Sequence, residues 1–229
     1  MKLLGIETAT MVGSVAIVDQ VDVVASYLWN IESAHSEHLM VAIQQILADA
    51  SLSLQELDGV AVSIGPGSFT GLRIGLSTAK GLCYATGLPL VTVPTLDALA
   101  SRLVFCKYQV CPMLDARKGE VYASIYQTAD GEISRLCPPE AIPPELLLKR
   151  ISQPTVFSGK GAIVYRGTIL KTLGKKAYFA PPELNSPDAA AVARLGFSAL
   201  QNGETAELFS VEPFYLRKPD AKISTKSTV

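Results

Sequence analysis

The chain has 229 residues, of which 48% are hydrophobic and 18% are charged, a composition that supports a large buried core and excludes a disordered chain. Its 20 lysine and arginine residues are balanced by 21 aspartate and glutamate residues. The chain therefore lacks the excess of basic residues that is typical of domains that bind the phosphates of nucleic acid. We therefore expect contact with nucleic acid to be indirect, with a local basic patch as the alternative that the overall balance leaves open. Four cysteines without C-x-x-C spacing and the lack of a membrane-spanning apolar stretch predict a cytoplasmic protein that does not bind a membrane.

The first half of the chain predicts an antiparallel meander followed by alternating helices and strands. Three apolar runs separated by short turns are typical of consecutive antiparallel strands. Leu39 and Ile43 then recur at the spacing of one helix face, and a glycine-rich turn at 65–68 opens a second helix. The predicted strands are 2–7, 13–19, 22–29, 59–64 and 90–93, and the predicted helices are 35–50, 70–86 and 95–105.

The second half of the chain repeats the order of the first. Its first strand ends in Asp115, as the first strand of the chain ends in Glu7, and each continues through a short turn into another strand. Val62–Gly67 and Val156–Gly161 both read as a short strand, then G-x-G, then a helix. Two matches in the same order indicate an internal duplication, with chance similarity of two β–turn–β units as the alternative. The second half is predicted to have strands at 111–116, 119–127 and 176–179 and a helix at 187–201.

Two such halves suggest the actin-like (ASKHA) α/β architecture, in which two ribonuclease-H-like lobes face each other across a cleft. We assign 1–105 to the N-terminal lobe and 106–229 to the C-terminal lobe. Glu7 and Asp115 would then point into the cleft. Arg117 and Glu120 share the polar turn of Asp115, where Arg117 could reach an anion or pair locally within a solvated hairpin.

The second helix carries small residues every four positions, among them Gly71, Gly75 and Ala79. Glycine inside a helix costs about 1 kcal/mol relative to alanine, so a repeated row indicates that another backbone must approach closely. The spacing leaves two readings open, close packing inside this chain and a docking face for another subunit. On the docking reading, a leucine in the row would damage partner association more than folding.

Independent catalysis is poorly supported by the motifs. The turn after the first strand, Glu7-Thr8-Ala9-Thr10, lacks the aspartate and glycine expected of an actin-type phosphotransferase. The G-x-G-x-x-x-G segment at 65–71 is neither a dinucleotide fingerprint nor a P-loop. His35 and His38 have no third ligand at metal-binding spacing. An actin-fold ATPase or kinase that uses Glu7 and Asp115 is the alternative from the enzyme class.

The chain contains, in this order, the motifs IETAT at 6–10, HSEHL at 35–39, GPGSFTGLRIGLSTAKGL at 65–82, LDARKGEVY at 114–122 and PFYLR at 213–217. Together they resemble the TsaB (YeaZ) family, the bacterial proteins of threonylcarbamoyladenosine synthesis in tRNA. The resemblance implies an actin-like fold, a heterodimer with the catalytic paralogue TsaD, and a further ATPase subunit, TsaE, that joins the dimer. The old label of glycoprotease is not supported, because no protease constellation is present.

The resemblance also implies a non-catalytic role. Thr95 and Leu99 stand where the paralogue has two metal-binding histidines, so we expect no metal and no cofactor of the chain's own. A nucleotide at the partner interface stays open, as does a homodimer through the same surface. The family's interface uses the first two helices, which favours the docking reading of the small-residue row. The partner-binding residues implied in this way are His35, Leu39, Ile43, Gly71, Gly75 and Ala79.

Overall fold

A computed structural model describes residues 1–30 and 35–217 and contains two β-sheets with helices packed on their faces. The strands of the first sheet are β1 (Leu3–Glu7), β2 (Gly13–Val18), β3 (Val23–Trp29), β4 (Gly59–Gly65) and β5 (Leu90–Pro94). They lie in the order β3-β2-β1-β4-β5, with β1, β2 and β3 antiparallel and β4 and β5 parallel to β1. The predicted meander and both later strands are confirmed.

The second sheet repeats this order around its own first strand. Its strands are β6 (Gln109–Asp115), β7 (Val121–Ala123), β8 (Tyr126–Ala129), β9 (Glu132–Arg135), β10 (Glu140–Ile142), β11 (Thr155–Ser158) and β12 (Ala177–Phe179). β6 has the antiparallel β7 on one side and the parallel β11 and β12 on the other, as β1 has β2, β4 and β5. This shared topology confirms the duplicated actin-like architecture.

One predicted strand of the second half, 119–127, is wrong as a single element. The chain leaves the β7 ladder after Ala123 and pairs again with β6 only at Tyr126. Ser124 lies between the two strands and donates its hydroxyl to the carbonyl of Cys137 at 2.6 Å. That side-chain bond holds the break, and the alternating pattern alone does not reveal it.

Seven helices cover the sheets in the described ranges 1–30 and 35–217. Leu39 and Ile43 pack into the core of the first sheet, and the second helix begins at a Ser68 cap whose side chain accepts a bond from Gly71. That helix ends at Gly87, whose positive φ suits glycine. The helices are α1 (His35–Asp49), α2 (Phe69–Thr86), α3 (Thr95–Ser101), α4 (Pro144–Leu148), α5 (Lys160–Val164), α6 (Arg166–Leu173) and α7 (Ala189–Gln201).

The last helix, α7, packs on the first sheet although it lies in the half of the sequence assigned to the C-terminal lobe. α1 and α2 cover one face of the first sheet, whereas α7 covers its other face through Val192, Ala193 and Phe197. The chain that follows stays with the same sheet, since the amide of Ala206 donates to the carbonyl of Leu90 at 2.8 Å. The assignment of all of 106–229 to the C-terminal lobe is therefore wrong for α7 and the segment after it. No helix in the described part of the chain has both the length and the apolar character to cross a membrane.

Candidate functional site

The small-residue row of α2 faces the turn after β1 of this same chain. A Cβ atom at Gly71 would collide with the carbonyl oxygen of Thr8, and one at Gly75 would collide with its hydroxyl. The Thr8 hydroxyl donates to the carbonyl of Gly71 at 2.8 Å, and the amide of Ser68 donates to the carbonyl of Ala9 at 2.7 Å. The row therefore lets the first-strand turn lie directly on the helix backbone.

This packing corrects most of the predicted partner-binding residues. Gly71, Gly75 and Ala79 are buried within the chain, and so are Leu39 and Ile43. A residue buried in its own core cannot contact a partner. The interpretation of the small-residue row as a docking face is therefore wrong. The row allows close packing inside the chain.

His35 is half-buried and closes the same turn from the start of α1. Its Nε2 lies 2.7 Å from the carbonyl oxygen of Thr10, and its ring meets the edge of Trp29 at a centroid distance of 6.2 Å. His35 therefore positions the turn after β1. Across 1–30 and 35–217, no group of three His, Cys, Asp or Glu side chains could hold a metal ion.

The outward sides of α1 and α2 form a different surface, which is uncharged at its centre. Val41 is 62% exposed, and a Cβ atom at Gly81 would meet nothing within 4 Å. Arg73 and Lys80 of α2 donate to Tyr215 and to the carbonyls of residues 209 and 211, so both charges turn toward the C-terminal chain. We call this surface the α1/α2 outer face; its central residues are Val41, Gln44, Gln45, Ala48, Ser77, Thr78, Gly81 and Ala85.

Glu7 lies at the end of β1 but is fully buried and does not line an open cleft. Burial raises its pKa to about 7, while Ser63 on β4 and the amide of Ala9, which donates to Oε1 at 2.5 Å, oppose the shift and nearby Asp188 adds to it. Neither Oε2 of Glu7 nor Oγ of Ser63 meets hydrogen-bond geometry with a partner in the described ranges. The prediction that Glu7 points into an accessible cleft is wrong.

Asp115, Arg117 and Glu120 build the turn between β6 and β7. The amide of Arg117 donates to Oδ1 of Asp115 at 2.8 Å, and Arg117 and Lys118 both have positive φ angles. Glu120 forms an ion pair with Arg217. Asp115 and Arg117 are exposed, so the structure brings them together in a solvated hairpin and keeps them apart from the buried Glu7.

A C-terminal strap, residues 213–217, joins the two lobes. Its sequence, PFYLR, indicated family membership but did not predict this structural role. The amide of Phe214 donates to the carbonyl of Ile64 at 2.7 Å, and Tyr215 stacks on Phe69 at 4.9 Å. At its far end, Arg217 donates to the carbonyl of Ala116 at 3.0 Å. The strap therefore runs from β4 and α2 to the hairpin of the second lobe.

Thr95 and Leu99, the two positions that the resemblance equates with metal ligands, have structural contacts in this chain. The hydroxyl of Thr95 accepts a hydrogen bond from the amide of Gly65 at 3.1 Å. Leu99 is fully buried in the core between α3 and the second sheet. Neither side chain supplies the imidazole nitrogens that a transition metal prefers.

The duplicated strand order and the helices packed on both sheets define an actin-like protein, and solved structures agree. YeaZ from Pseudomonas aeruginosa superposes with a TM-score of 0.80 at 28% identity, covering 94% of this chain and 99% of that chain. The ROK hexokinase from Thermus thermophilus superposes with a TM-score of 0.50 at 13% identity, covering 86% of this chain and 99% of that one, and shares the fold alone.

Sequence comparisons narrow this class to one family. The TsaD family model, described as tRNA N6-adenosine threonylcarbamoyltransferase, matches residues 29–225. The tRNA threonylcarbamoyladenosine biosynthesis protein TsaB of Escherichia coli is 32% identical over 95% of both chains. The protein of the same name in Bacillus subtilis is 29% identical over 97% of this chain and 96% of its own. The chain belongs to the TsaB (YeaZ) family, which confirms the resemblance carried by its motifs.

Proposed function

We propose that the chain is a non-catalytic subunit that activates a TsaD-type catalytic paralogue in the synthesis of threonylcarbamoyladenosine in tRNA. The observation that carries the proposal is the near full-length similarity to proteins named for this biosynthesis. The chain acts by forming a heterodimer with the paralogue, and the paralogue supplies the chemistry.

The non-catalytic part of the proposal is supported by what the candidate residues do. Glu7 is sealed in the core, and Asp115 caps its own hairpin. Thr95 bonds the amide of Gly65, and Leu99 packs in the core. The residues at the expected acid and metal positions therefore stabilise the fold. The chain needs no cofactor of its own in this account.

The α1/α2 outer face is the surface proposed to dock on the paralogue. Val41 and Gly81 are exposed at its centre among uncharged side chains, and Arg73 and Lys80 of α2 turn toward the C-terminal chain. Interface centres are depleted in charged residues, and small residues allow helix backbones to approach closely. The same face would support self-association when the paralogue is absent.

The wider assembly follows from the same proposal. A TsaE-type ATPase joins the heterodimer, and a nucleotide at the interface would be held jointly by both subunits. The complex works in the cytoplasm, in keeping with four cysteines that are all free.

Charge placed on the outer face tests the docking proposal. Val41→Glu and Ser77→Glu should each weaken binding to the purified paralogue at least 100-fold, because an unpaired carboxylate would be buried at the interface. Both positions are exposed, so melting temperatures should stay within a few degrees of the original. Val164→Glu makes the same change at a valine that is 52% exposed on α5, and it should bind normally. Normal paralogue affinity of both outer-face variants would refute docking through this face.

A further inference from the structure

The helical layer over the second sheet contains a long segment without acidic residues. Residues 146–182 hold seven of the chain's 20 basic residues and none of its 21 acidic ones. All seven side chains are exposed. We call this surface the basic face; its residues are Lys149, Arg150, Lys160, Arg166, Lys171, Lys175 and Lys176.

The fold places most of these residues on one side of the second lobe. Leu147 of α4, Ala162 of α5 and Ile169 of α6 share one core cluster with Phe157 of the sheet. α4 also packs against α6, and α5 packs against α6. α5 and α6 bury their apolar sides against the same sheet, so the cations of these two helices are exposed to solvent together, whereas α4 itself carries Glu145 and no basic residue.

Three of the seven cations have partners within residues 1–30 and 35–217. Arg150 pairs with Glu140 at 2.7 Å, Arg166 lies 3.9 Å above the ring of Phe179, and Lys176 donates to the carbonyl of Ser152 at 2.9 Å. The lysines at 149, 160, 171 and 175 leave a strong positive field in a protein whose remaining residues carry an acidic excess. Such a field attracts a polyanion.

A stacked tyrosine pair borders the basic face at the edge strand β12. The rings of Tyr108 and Tyr178 stack at 4.6 Å, and Nζ of Lys107 lies 4.9 Å from the Tyr108 ring. Tyr178 is 41% exposed and follows Lys176 by two positions. Exposed aromatic rings beside cations suit unstacked nucleotide bases next to a phosphate backbone.

We propose that the basic face binds the phosphate backbone of the tRNA that the complex modifies. The choice of tRNA as the ligand rests on the proposed function. Direct contact at this face replaces the expectation that the chain contacts tRNA only indirectly. The nearly neutral overall charge concealed the face, because acidic residues elsewhere in the chain balance its lysines.

Neutralising three of the lysines for which the described part of the chain shows no partner tests the proposal. In the Lys149→Gln, Lys171→Gln, Lys175→Gln triple variant, affinity for an unmodified tRNA transcript should fall at least tenfold at about 0.15 M salt. The slope of log affinity against log salt should become shallower by about 2 to 3, since each lost phosphate contact removes about 0.7 to 0.9. Filter binding would be run on the full-length chain alone and mixed with the paralogue. The matched Lys→Arg triple variant keeps the charge and should bind tRNA normally.

The other outcomes would overturn the proposal. Unchanged tRNA affinity in the glutamine variant would do so, and so would an equal loss in the arginine variant. Ile163 and Val164 are also exposed on this side, so the variants are tested against phosphatidylserine vesicles and the ATPase subunit. Loss of either of those interactions with tRNA binding intact would assign the face to that other occupant. Paralogue binding is measured on the same samples, so failure of the heterodimer counts against the proposed function and not against this face.

Discussion

The buried carboxyl group of Glu7 makes a specific prediction about stability and pH. Glu7 is fully buried, and its folded-state pKa is about 7, compared with an ordinary value of 4.5. Between these two values the folded protein holds the proton that the unfolded chain releases. The free energy of unfolding should therefore fall as pH rises through this window, and Glu7 should add no further change above it.

The size of the effect follows from the difference between the two pKa values. Each tenfold change in proton affinity corresponds to about 1.4 kcal/mol, so ionising Glu7 should lower the free energy of unfolding by about 3 kcal/mol between pH 4.5 and pH 8. Glu7→Gln removes the titrating group and keeps an oxygen that can accept the Ala9 amide. The variant should gain about 3 kcal/mol relative to the original chain over the same pH range.

Urea unfolding of both proteins at several pH values measures this difference. Both proteins contain the same other titratable groups, so the pH dependence that those groups contribute cancels in the difference. These groups include Asp19 and Glu56, whose pKa values are lowered by local hydrogen bonds. A stability difference between the two proteins that stays constant from pH 5 to pH 8 would refute the buried, neutral state of Glu7.

Two further predictions concern α2 and the strap. Gly71→Ala should lower the free energy of unfolding by about 1–3 kcal/mol because its Cβ meets the Thr8 carbonyl, whereas Gly81→Ala on the same helix should raise it by about 0.5–1 kcal/mol. Urea melts would measure both, and equal stabilities would contradict the packing. Tyr215→Ala removes the stack on Phe69 and the bond from Arg73, so exchange of the Phe214 amide should become at least tenfold faster. Unchanged exchange there would mean that Tyr215 does not hold the strap.

Local patterns were enough to predict most of the fold. The meander, the strand–glycine–helix turns at Gly65 and Gly159, and the restart predicted at residue 111 all arise from short-range periodicity and turn chemistry. The break between β7 and β8 was not predictable, because it depends on a bond from Ser124 to Cys137, which is 13 residues away.

The candidate site was harder to predict than the fold, because the residues that contact one another there are distant in sequence. The row of Gly71 and Gly75 indicated a close backbone approach, but spacing cannot tell whether that backbone belongs to Thr8 or to another chain. Glu7 was expected in a cleft, but its strand β1 is covered by α7, which begins 182 residues later at Ala189. Periodicity reports which residues share a face and does not report what covers that face.

Reconstitution of tRNA modification tests the central claim most directly. The purified paralogue, the ATPase subunit, unmodified tRNA and the threonylcarbamoyl donor would be combined with and without this chain, and threonylcarbamoyladenosine would be measured by mass spectrometry. The account predicts abundant product only when the chain is present and little or none when the chain replaces the paralogue. Full modification without the chain, or modification by the chain in place of the paralogue, would contradict it.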